Sequence, residues 1–112
     1  MSAEPLTVGA LRIDPARFET TIAGHPVDLT RAELELLTVL AEHAGFVLSR
    51  SQLLRHLHGS EEYLTERTID THVKNLRAKI EADPRHPQLI RSVYGVGYKL
   101  VSTLQVSSQG EA

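Results

Sequence analysis

A chain of 112 residues has material for one domain around one core. Its 41% hydrophobic content is that of a globular protein, and the lack of cysteine excludes a disulfide framework and thiolate metal sites. No apolar run approaches the ~20 residues of a membrane-spanning helix, and the opening Met1-Ser2-Ala3-Glu4-Pro5 has neither the basic nor the apolar part of a signal peptide, so a cytoplasmic protein is expected.

The net charge of −2 is unevenly spread: 5 basic against 9 acidic residues up to Glu62, then 7 basic against 5 acidic from Tyr63 onward. A near-neutral chain can therefore still present a local basic surface in its second half.

In chain order, the first expected elements are short strands at Leu6–Gly9, Leu11–Asp14, Phe18–Ile22 and Val27–Leu29, divided by Asp14-Pro15 and Gly24-His25-Pro26. Alternating apolar and polar positions between turn residues predict a small antiparallel meander with one buried face. The first helix announces itself through Thr30 and Glu33, a Thr-x-x-Glu capping box, with Leu29 placed to staple onto Leu34. Leu34, Leu37, Leu40, Ala41 and Ala44 form its apolar stripe, and Gly45 ends it. After the extended link Phe46-Val47-Leu48, the same start signal recurs at Ser49 and Gln52, predicting a shorter helix with Leu53, Leu54 and Leu57 inward and Arg50 and Arg55 outward.

The polar segment from His58 to Thr65 is longer than the tight turn of the simplest helix-turn-helix. Thr65 is then the expected N-cap of a third helix over Glu66–Ile80. At roughly 100° per residue, Ile69, Val73, Leu76 and Ile80 share one narrow arc, opposite Arg67, Thr71, Lys74, Asn75 and Ala78. Asp70 and Arg77 flank that polar face on one side, and Thr68, His72 and Lys79 on the other. Such side chains donate to phosphates and base edges, so the helix suits a DNA groove; an ordinary solvated helix face has the same pattern.

Pro84 and Pro87 stop the helix, and two β-rich runs around Tyr94-Gly95-Val96-Gly97 predict a hairpin from Leu89 to Val101. No Gly-x-Gly-x-x-Gly series or Gly-Lys-Ser/Thr follows these glycines, which excludes a nucleotide-binding loop. Residues 1–5 read as a lead, 6–101 as the domain, and 102–112 as a flexible tail. Three helices before a hairpin give an α+β fold, a winged helix-turn-helix, with helix three in the major groove and the hairpin on the adjacent backbone or minor groove.

Several separated motifs carry a resemblance. Thr30-x-x-Glu33-x-x-Leu36-Leu37, Ser49-Arg50-x-x-Leu53-Leu54, Arg67-Thr68-Ile69-Asp70-x-His72-Val73-x-x-Leu76-Arg77-x-Lys79-Ile80 and Val93-Tyr94-Gly95-x-Gly97-Tyr98 resemble the C-terminal effector domain of OmpR/PhoB-type response regulators. The resemblance implies a four-stranded N-terminal antiparallel sheet, three helices, a C-terminal β-hairpin, and binding to direct-repeat promoter DNA as a head-to-tail dimer. By position, Thr71, Lys74 and Asn75 would face bases, and Arg67, Thr68, His72 and Arg77 would contact phosphates. Arg50 and Tyr98 match further backbone-contacting positions, and Tyr94 occupies the wing position. The segment holding Glu61, Glu62 and Tyr63 would be a surface for RNA polymerase. Asn75 and Tyr94 stand where relatives often carry basic residues, which predicts weak binding by a single domain and reliance on pairing. Asn75 could read adenine through its amide instead. The receiver domain that such regulators carry has no room in this chain, which is either an excised effector domain or a free-standing relative.

Two other readings compete with DNA binding. His56-x-His58 and Asp70-x-His72 lack an evident third ligand for zinc, and no activated nucleophile can be identified, so neither an enzyme nor a cofactor or metal is expected. A winged-helix module used only for protein contacts is the closer rival.

Overall fold

The computed structural model describes residues 4–57 and 65–101. The expectations for the tail, and for the segment with Glu61, Glu62 and Tyr63, fall outside those residues.

The meander forms an antiparallel sheet of β1 (Leu6–Val8), β2 (Leu11–Asp14), β3 (Glu19–Ile22) and β4 (His25–Pro26), hydrogen-bonded in chain order. Pairings such as Leu6 with Ile13 and Leu11 with Ile22 put the apolar positions on one face. The last strand is a correction, since the sequence pointed to Val27–Leu29. Ala23 and Gly24 both take positive φ, at 52° and 84°, and this two-residue reversal starts the pairing at once with Ile22 opposite His25. Pro26, which looks like a turn residue, is tolerated because β4 is an edge strand. Phe18 also has positive φ, 56°, so β3 begins one residue later than its apolar pattern suggested.

Helices α1 (Arg31–Glu42), α2 (Arg50–His56) and α3 (Glu66–Ile80) all start at reciprocal caps. Thr30 Oγ1 accepts from the Glu33 amide at 3.2 Å while Glu33 Oε1 accepts from the Thr30 amide at 3.0 Å. Ser49 and Gln52 repeat this at 3.1 and 2.8 Å. At Thr65 the returning acceptor is the Thr68 hydroxyl, at 3.2 Å. Each cap satisfies amides that a helix start leaves without partners, a contribution of about 1 kcal/mol apiece.

The core lies between the inner face of the N-terminal sheet and the three helices, and is built from Leu11, Ile13, Leu36, Leu37, Leu40, Leu53, Ile69, Val73 and Leu76. The hairpin, β6 (Ile90–Val93) and β7 (Gly97–Leu100), closes it with Ile90 and Leu100. The link after α1 proves to contain a strand, β5 (Leu48–Ser49), which adds to β7 and makes a three-stranded sheet in the order β5-β7-β6. Gly97 allows this approach, because a β-carbon there would collide with the Leu48 carbonyl. The beginning of the second helix is thereby tied to the hairpin.

Glu81 is a residue whose role the pattern did not disclose. It ends α3, and its buried carboxylate accepts the amides of Gln88 at 2.7 Å, Leu89 at 3.0 Å and Ile90 at 2.8 Å. These bonds hold the proline-containing return segment and fix where β6 starts.

Candidate nucleic-acid interface

Helix α3 sets the geometry. Ile69, Val73, Leu76 and Ile80 are buried, as their spacing predicts, and this leaves Arg67, Thr71, Lys74, Asn75 and Ala78 exposed on the opposite side. Lys74 and Asn75 make no side-chain hydrogen bond or ion pair to the described residues, while the Thr71 hydroxyl leans back on the Arg67 carbonyl at 3.4 Å. The hairpin stands beside this helix, and its tip is open: Tyr94 is 99% exposed and Val96 53%. Gly95, with φ of 77°, makes the turn that projects Tyr94. A concavity of about 350 Å³ lies between Arg50 at the start of α2 and the hairpin segment from Ser92 to Tyr98.

The flanks of α3 are chemically occupied. Arg77 donates through Nε to the Ile90 carbonyl at 3.1 Å, and through a terminal nitrogen to the same oxygen at 2.7 Å and to Ser92 Oγ at 3.0 Å. Its guanidinium also lies 5.7 Å from the centre of the Tyr98 ring, within cation–π range. Arg77 is therefore a strut between α3 and β6, although by position it was expected at a phosphate. Tyr98, also expected at the backbone, is only 8% exposed and donates its hydroxyl to Asp70 at 2.6 Å. Asp70 accepts from Arg50 Nε at 2.7 Å as well, so one carboxylate joins the start of α2, the middle of α3 and the hairpin.

This explains an acidic residue on a helix otherwise suited to phosphates. The hydrogen bond from Tyr98, and the bond and charge of Arg50, hold the Asp70 carboxyl below its ordinary value against the opposing effect of burial. Burial, followed by the bond to Asp70, pushes the Tyr98 hydroxyl up. Arg50 keeps part of its guanidinium open to solvent beside the concavity.

On the other flank, Lys79 Nζ meets the buried Glu33 carboxylate of α1 at 2.6 Å. Burial alone would raise the Glu33 carboxyl, but bonds from Lys79 and the Thr30 amide, with the charges of Lys79 and His72, hold it below its ordinary value. His72 is half-buried and its Nδ1 is enclosed with no partner among the described residues, so its ring belongs to the α1–α3 seam more than to the exposed face. Thr68 uses its hydroxyl in the helix cap. Of the residues singled out from the sequence, the structure gathers Arg67, Thr71, Lys74, Asn75, Arg50 and Tyr94 on accessible surface. Arg77, Tyr98, Thr68 and His72 have internal partners or are partly enclosed.

A helix-turn-helix whose last helix is flanked by a projecting hairpin defines the winged-helix class. Comparison with known proteins gives the family. Residues 24–100 match the model described as "Transcriptional regulatory protein, C terminal", and the chain belongs to that family, the effector domain of OmpR/PhoB-type regulators. It is 48% identical over 89 residues to the transcriptional regulatory protein BaeR of Escherichia coli, covering 80% of this chain and 37% of that protein. It is 41% identical over 98 residues to the DNA-binding dual master transcriptional regulator RpaA of Synechocystis, covering 88% and 41%. The chain thus spans about two fifths of the length of these curated relatives.

Among solved structures, the DNA-binding domain of Klebsiella pneumoniae RstA in complex with the RstA box superposes with a TM-score of 0.77 at 30% identity, over 88% of this chain and 98% of that one. The DNA-binding domain of CpxR from Escherichia coli gives 0.71 at 34% identity, over 87% and 95%.

Proposed function

We propose that this chain binds double-stranded DNA sequence-specifically, as the effector domain of a two-component response regulator controlling transcription. The observation that carries the reading is the uncovered face of α3, where Arg67, Thr71, Lys74 and Asn75 are exposed beside an exposed hairpin tip. Helix α3 enters the major groove, Lys74 and Asn75 face base edges, and Arg67 neutralises phosphate. Asn75 suits a bidentate contact with adenine, and Tyr94 offers an uncharged wing to the neighbouring backbone or minor groove. Arg50 supplies a further phosphate contact from the start of α2, oriented by Asp70.

The finer assignments belong to the same proposal. Residues 6–101 form the binding unit, two copies line up head to tail on direct repeats, and Glu61, Glu62 and Tyr63 contact RNA polymerase. The modest charge of the exposed face supports dependence on pairing, since each phosphate contact contributes to the salt-sensitive part of the affinity.

Footprinting on genomic fragments tests the proposal. Two protected tracts in direct repeat, with affinity falling steeply as salt rises, are expected; a palindromic footprint would require a symmetric dimer, and no salt-sensitive protection at all would favour the protein-contact module.

A further inference from the structure

The ends of α1 and α2 bring together two histidines that lie 13 positions apart in sequence. His43 caps α1 and His56 is the last residue of α2. Their ring centres are 5.6 Å apart, with the planes at 62°. Each ring meets the carbonyl of the residue four earlier in its own helix: His43 Nδ1 lies 2.9 Å from the Val39 oxygen and His56 Nδ1 lies 2.9 Å from the Gln52 oxygen.

A carbonyl oxygen only accepts, so both Nδ1 atoms must carry the proton. In the neutral rings this leaves both Nε2 atoms as lone-pair donors. A backbone carbonyl fixing Nδ1–H is the arrangement that orients a metal-ligating imidazole and raises its basicity. Two imidazoles on one ion at about 2.0–2.1 Å have ring centres roughly 5 Å apart, close to the spacing found between His43 and His56. His56 is exposed and His43 half-buried, so an ion can reach the pair, and both helices end there with the carbonyl-rich pole that favours positive charge.

We propose that His43 and His56 form a two-imidazole site for a divalent cation of the zinc, nickel or copper type, whose remaining positions are filled by water. These ions accept nitrogen ligands, whereas magnesium and calcium select oxygen. The bound ion clips the end of α1 to the end of α2. It stabilises the folded chain without touching the face of α3.

Isothermal titration of the untagged chain with zinc chloride tests the assignment. One ion per chain is expected, with affinity reduced at least tenfold in His56→Ala and His43→Ala and retained in His86→Ala, which removes an exposed histidine elsewhere. At zinc tenfold above the dissociation constant, the melting midpoint of the wild-type chain should rise by about 5 °C, and that of His56→Ala should not move. Because His43 is half-buried, the exposed His56 provides the decisive variant. Absence of binding by the wild-type chain, or full binding by His56→Ala, overturns the proposal. The DNA footprint reads α3 separately, so either reading can fail without the other.

Discussion

The exposed face of α3 and the flank turned toward the hairpin use similar residue types for opposite purposes. On the face, Arg67 and Lys74 keep their charges in solvent and make no ion pair among the described residues. On the flank, Arg77 directs three hydrogen bonds into β6, and Asp70 gathers Arg50 and Tyr98. A positive charge on a candidate DNA-reading helix is therefore not by itself evidence of a phosphate contact. The test is whether its donors already have partners, since an arginine bonded to a carbonyl inside the fold cannot transfer those donors to DNA without loosening the fold.

The largest disturbance of this comparison comes from beneath both surfaces. Val73→Asp places a charge at a position only 1% exposed, and is expected to abolish cooperative unfolding, read as loss of the thermal transition in circular dichroism. A stable variant with a sharp transition would show that the helix is turned differently.

Arg77→Ala comes next. It leaves the Ile90 carbonyl and Ser92 without their partner and should cost about 2 kcal/mol of stability by urea denaturation. Its DNA affinity should fall because the hairpin is less well held, while the salt dependence stays close to that of the wild-type chain. A fall in salt slope of about one with unchanged stability would instead restore Arg77 to the phosphate-contacting set.

Lys74→Ala should do the reverse. Stability is expected to stay within about 0.5 kcal/mol, while DNA affinity drops roughly tenfold; a purely phosphate-directed Lys74 would also reduce the salt slope by about one, whereas a base-directed one would change sequence preference. Equal affinity of variant and wild type would remove the centre of α3 from the interface.

The smallest effect is in pH. Glu33 and Asp70 have folded-state values below the ordinary 4.5 and 3.8, so both contribute stability that is complete above those values and lost as pH falls through the lower folded ones. Urea midpoints measured from pH 7 down to pH 3 should decline, with a shallower decline in Glu33→Gln. An unchanged slope in that variant would mean that the Lys79 bond contributes little.

Much of this arrangement is legible in the chain because it depends on near neighbours. The first two helix starts follow from side chains at three-residue spacing, and the buried arc of α3 follows from its period; all four residues assigned to that arc are buried. The fourth strand was misplaced because proline and glycine both suggest turns, and only the positive φ of Ala23 and Gly24 identifies the pair that makes the reversal. The Thr65–Thr68 cap was half visible: Thr65 was expected, but its reciprocal partner is a threonine where the familiar signal has Glu or Gln.

Other features join residues too far apart for periodicity to connect. The addition of β5 to β7, the bonds from Arg77 to Ile90, the Asp70 junction and the cradle that Glu81 makes for the return segment all arise after the chain has folded back on itself. The same holds for His43 and His56, each unremarkable on its own helix and adjacent only because the two helix ends meet.

The order of the helices and the hairpin, the Thr30 and Ser49 caps and the inward stripe of α3 can be read along the chain, since these rest on backbone geometry and hydrophobic spacing within one segment. Only the tertiary structure decided which charges around that helix remain free for a partner, because that depends on whether a carbonyl, carboxylate or ring from a distant segment already holds them.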